Sequence, residues 1–70
     1  MAQYRITATT PTATRTNTFD ADDSTDATVT GIRIILDKAI REPAGPWGRG
    51  RITLTDLTTG TVLQTMDAKG

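Results

Sequence analysis

The stretch Asp20–Pro43, DADDSTDATVTGIRIILDKAIREP, decides what this chain builds. Read alone, VTGIRIIL fits a strand as well as a helix, because it is β-branched and holds Gly31, and both features weaken a helix. The ends of the stretch settle the reading. Asp22 or Asp23 stands where an N-cap belongs, and Asp26 puts negative charge in the first turn. At the other end Lys38 and Arg41 lie in the last turn, with Pro43 just beyond. The stretch therefore predicts a helix over about 23–41. On a helical wheel Val29, Ile32, Ile35, Leu36, Ala39 and Ile40 form one broad apolar face, which is expected to meet the core. Ile34 is left on the solvent side.

Outward from the helix, both flanks alternate. In QYRITATT, Tyr4, Ile6 and Ala8 share one face and Arg5, Thr7 and Thr9 the other, the pattern of a half-buried strand. Pro11 breaks it. TATRTNTF resumes with threonine at 12, 14, 16 and 18, polar on both faces until Phe19, and reads as an edge strand of a hairpin over about 3–20. Beyond a Gly/Pro-rich connector at 42–50, RITLTDLTTGTVLQTM gives a second hairpin over 51–66. Asp56 and Gly60 serve its turn. DAKG, 67–70, reads as a frayed tail. The order is ββαββ: an α+β fold in a single small domain, 1–70. One helix packs on one face of a four-stranded, mostly antiparallel sheet. The expected core joins Leu36 and Ile40 to Ile52 and Leu54.

The composition narrows the chemistry. Without cysteine or histidine there is no disulfide, no Cys or His metal ligand, no imidazole base and no thiol nucleophile. Serine occurs once, at Ser24 among aspartates, and glutamate once, at Glu42. No two carboxylates are visibly set against each other across a cleft. The chain is therefore expected not to be an enzyme and to use no cofactor and no metal. Eight basic residues balance eight acidic ones, which argues against a strong grip on DNA or on an anionic membrane. The start MAQYRITATT lacks a signal-like apolar run, and no apolar span is long enough for a bilayer. The expected setting is cytoplasmic, away from membranes. Abundant Thr, Ala, Arg and Asp with scarce Lys and Glu match the usage of GC-rich genomes, actinobacteria and their phages among them.

Three motifs have a functional and a plain reading. DDSTD, Asp22–Asp26, resembles the aspartate-rich box with which isoprenoid synthases hold magnesium and diphosphate. Those enzymes are large and all-helical and carry a second carboxylate cluster. Here the aspartates read as a helix cap. As a calcium loop the stretch places Gly31 where a bidentate Glu is needed. The recurring Thr-x-Thr resembles that of some antifreeze proteins, which repeat it at fixed intervals on a solenoid; here it reads as the exposed face of a sheet. Trp47 beside GRGR, Gly48–Arg51, has the chemistry of a single-stranded nucleic-acid binder, but one such unit at zero net charge reads first as a connector whose tryptophan plugs the core or anchors an interface.

A helix covers only one face of a sheet and leaves two edges open. The functional expectation is thus a small accessory or regulatory protein acting by protein–protein contact, as a homodimer or with a protein partner. Ile34, Trp47, Arg49 and Arg51 are the candidate contact residues. The alternative is a nucleic-acid-binding module in which Arg5, Arg15, Arg49 and Arg51 form a patch beside Trp47.

Overall fold

The computed structural model describes residues 1–67. Two hairpins flank one helix: β1 (Ala2–Thr10), β2 (Ala13–Ala21), α1 (Ser24–Arg41), β3 (Arg51–Asp56) and β4 (Thr61–Asp67). A short 3₁₀ turn, Pro46–Gly48, sits in the connector. All neighbouring strands are antiparallel, in the order β2-β1-β3-β4. The expected α+β fold is the observed one. Asp67, expected in the tail, belongs to β4, and the rest of that tail lies outside the described residues.

Both ends of α1 follow local chemistry. The Asp23 carboxylate accepts the Asp26 N–H at 2.8 Å, and the Asp26 carboxylate accepts the Asp22 N–H at 3.0 Å. The first bond satisfies a donor of the opening turn, and the second ties down the residue just ahead of the N-cap Asp23, a variant of the capping box. The helix closes with the Glu42 N–H on the Lys38 carbonyl at 2.7 Å, and Pro43 prevents continuation. In the second hairpin Gly60 takes a φ of +75°, and the Asp56 carboxylate accepts the Thr58 N–H at 2.9 Å.

Strand alternation places Tyr4, Ile6 and Ala8 of β1 beside Ile52 and Leu54 of β3 on the helix side, all buried. One cluster holds Tyr4, Ala21, Ala27 and Leu54, with Phe19 packed against it. The Tyr4 and Phe19 rings stack with centroids 6.1 Å apart. Burial, and then the carboxylates of Asp56, Asp23 and Asp26, hold the Tyr4 phenol above its ordinary pKa. The other cluster holds Ile6, Ala8, Trp47 and Ile52, with Ile34, Ile35 and Ala39 packed against it.

The helix is rotated from its expected setting. Ala27 and Gly31 are its buried residues, and Ile34, Ile35 and Ala39 are half-buried. Val29, Ile32, Leu36 and Ile40, expected in the core, are 46%, 44%, 60% and 81% exposed. Ile34, expected on the solvent side, packs inward. The cause is one of volume. Large side chains already fill the space above the sheet: Tyr4, Ile6, Ile52 and Leu54 from the strands, and Trp47 from the connector. The helix comes close only by turning its smallest residues inward; a Cβ added at Gly31 would lie 3.1 Å from Ile6 Cδ1. Leu36→Ala is accordingly expected to change stability by no more than about 0.5 kcal/mol, the range of an exposed site. A buried leucine would cost about 2–5 kcal/mol. Urea unfolding at low protein concentration measures the difference.

Candidate functional site

Turning Ala27 and Gly31 inward forces a second apolar stripe outward. Val29, Ile32, Leu36 and Ile40 recur at intervals of three and four, so they line up along the solvent side of α1 as one ridge. Beside the ridge, between α1 and the second hairpin, runs a shallow groove lined by Ile32, Ile35, Ile52, Leu54, Gln64 and Met66. Met66, opposite Ile52 in the β3–β4 ladder, is itself 45% exposed. Ridge and groove share Ile32 and so adjoin as one exposed apolar surface, the kind of feature that marks an interaction site when its side chains are contiguous. An ordinary surface helix has one apolar stripe, facing the core; α1 has two, with charged residues on the remaining flank. Here the sheet covers one side.

The expected contact residues are not brought together there. Trp47 is 2% exposed and lies inside the second cluster, so its ring is not presented at the surface; its Nε1–H has no hydrogen-bond acceptor among the described residues. Ile34 packs against that same cluster. Arg49 is exposed at the end of the 3₁₀ turn, and Arg51 opens β3 with its guanidinium 3.2 Å from the Asp67 carboxylate.

The alternative arginine patch is divided between the two faces of the sheet. Arg15 lies opposite Ala8, on the helix side, with its guanidinium 3.9 Å from Glu42. Arg5 and Arg51 are on the opposite face, paired with Thr55 and Thr9, four residues apart along β1 and so separated by about 13 Å. That face is rich in threonine, with Thr16, Thr7, Thr53 and Thr65 forming one row across all four strands.

The Asp23 and Asp26 carboxylates are engaged at the helix start, and no group of three His, Cys, Asp or Glu able to hold a metal ion occurs among the described residues. Neither hollow beside the helix, the apolar groove or the more open one at Ser24, Thr28 and Gln64, is lined by an ionisable side chain. Among the described residues no helix is long and apolar enough to cross a membrane. No protein-family model, curated protein or solved structure matches this chain.

Proposed function

We propose that this protein is a small accessory or regulatory module that works by protein–protein contact, and that its contact surface is the outward ridge of α1. The observation that carries the reading is the exposure of Val29, Ile32, Leu36 and Ile40 on a helix whose opposite side already packs on the core. Leaving these aliphatic side chains in water forgoes stabilisation that a partner would supply, up to about 1.5–3 kcal/mol for Ile40, the most exposed, and less for the half-covered Val29 and Ile32. Those side chains make a poor solvent face and a good anchor row, since helix-mediated recognition uses apolar positions at this spacing. The ridge offers no ring to stack on a base, and Trp47 is enclosed.

Photo-crosslinking in the cells that make the protein tests the reading. A photoreactive residue at Leu36 is expected to give protein adducts. The same residue at Thr16, on the threonine face, is expected to give none. Adducts to nucleic acid, adducts from Thr16 alone, or none from either position would overturn it.

A further inference from the structure

We infer that the partner of the α1 ridge is a second copy of this chain, with the two helices antiparallel about a two-fold axis between Arg33 and Ile35. The inference names the partner of the contact surface proposed above and rests on that reading.

Alongside the ridge runs one column of exposed charges, in chain order Asp26, Arg33, Asp37 and Arg41. At 3.6 residues per turn the four fall on the same flank of the ridge, within an arc of about 80°. Their signs alternate: minus, plus, minus, plus. When two identical helices pack antiparallel about a two-fold axis, each flank meets its own copy; in a parallel pair, opposite flanks meet. Only the antiparallel arrangement brings this column against itself, and reversal turns its sequence of signs into its complement. Asp26 then faces Arg41 of the second copy, and Arg33 faces Asp37 of the second copy.

The ridge independently gives the same register. Val29 comes opposite Ile40 of the second copy, and Ile32 opposite Leu36. All four pairings are centred between Arg33 and Ile35, so charge and apolar matching agree on one axis. The opposite flank carries Ile32 and the groove beside Met66, and the same axis joins apolar surface to apolar surface. A parallel pair would set the charged column against that apolar flank and give Asp26 and Arg33 no charged partner across the interface. Asp37 already bonds Arg41 within one helix at 3.0 Å, whereas Arg33 has no carboxylate within ion-pair distance among the described residues. The second copy supplies one.

One helix face is a small interface, so the dissociation constant is expected to be on the order of tens of micromolar. Sedimentation equilibrium of the full chain from about 1 to about 500 µM should show the 7.5 kDa monomer giving way to twice that mass. Arg33→Glu and Asp37→Lys each place two like-charged pairs at the axis, and each should raise the dissociation constant about tenfold. The double variant R33E/D37K restores opposite charges at both places and should return to within about threefold of the wild type. Both sites are exposed, and circular dichroism at low concentration checks that each variant remains folded. A monomer across the whole range overturns the inference, as does a double variant no better than the singles. If the chain stays monomeric while Leu36 still crosslinks a different protein, the second copy is wrong and the contact surface stands. If Leu36 also captures nothing, both fall.

Discussion

Trp47→Ala is expected to remove about 3–5 kcal/mol of stability, the cost of truncating a buried large aromatic residue. A 70-residue domain has roughly 4–10 kcal/mol in total, so most or all of the fold is at stake. Trp47 is among the largest fully buried side chains, and it joins the strands to the C-terminal half of the helix through Ile6, Ala8 and Ile52 on one side and Ile34, Ile35 and Ala39 on the other. Its removal opens a void that the rigid hairpins cannot fill by collapsing. Trp47→Phe should cost far less, about 1 kcal/mol, because it keeps most of the ring volume and removes a buried N–H that has no acceptor among the described residues, a group that costs about 1–3 kcal/mol when unpaired. Denaturant titrations followed by circular dichroism measure both. Equal losses for Phe and Ala would show that the indole N–H does have a partner.

Gly50→Ala is the second large effect, about 3 kcal/mol, at the upper end of what overpacking costs. Gly50 is buried at the entry to β3, held by its N–H on the Pro46 carbonyl at 2.9 Å. An added Cβ there would run into the Thr9 carbonyl and meet Thr10 Cγ2 at 3.0 Å. The obstacle is mostly the backbone of β1, which is fixed on both sides by its neighbours in the sheet, so no side-chain rotation relieves the collision. Gly48→Ala is the control two residues away: its added Cβ meets only Ala39 Cβ at 3.7 Å, an ordinary contact, and stability should stay within about 0.5 kcal/mol. Urea midpoints read by Trp47 fluorescence compare the two. Similar midpoints would mean that the connector shifts freely against β1.

The element order was legible because each signal is local. Alternation in YRITATT and RITLTD, the aspartates before the helix and the proline after it all act within a few residues of where they stand. The facing of the helix is not local. Ala27, Gly31, Ile34 and Ile35 make one apolar side and Val29, Ile32, Leu36 and Ile40 another, and periodicity alone favours the bulkier. Which side turns inward depends on how much volume the strands and Trp47 already occupy. The small residues at 27 and 31, one turn apart, were the available sign of close approach, but Gly31 counted only as a weakness in the helix. The candidate surface is hidden in the sequence for the same reason, since periodicity places its residues in the core. The arginines were misgrouped because Arg15 lies on the helix side of β2, a placement fixed by register rather than by sequence proximity.

The two hairpins meet along a single seam, β1 against β3, which pairs Tyr4 with Asp56 and Thr9 with Arg51. Every other strand pairing is between neighbours in sequence and can close within microseconds. The seam alone must bring together segments more than forty residues apart, and its closure entropy falls due before the core rewards it. The rate-limiting event in folding should therefore be the docking of two preformed hairpins, timed by the helix and connector between them. A growing chain cannot begin that step until β3 has emerged. Until then β1 has an open flank, a template for mispairing that the finished sheet no longer offers.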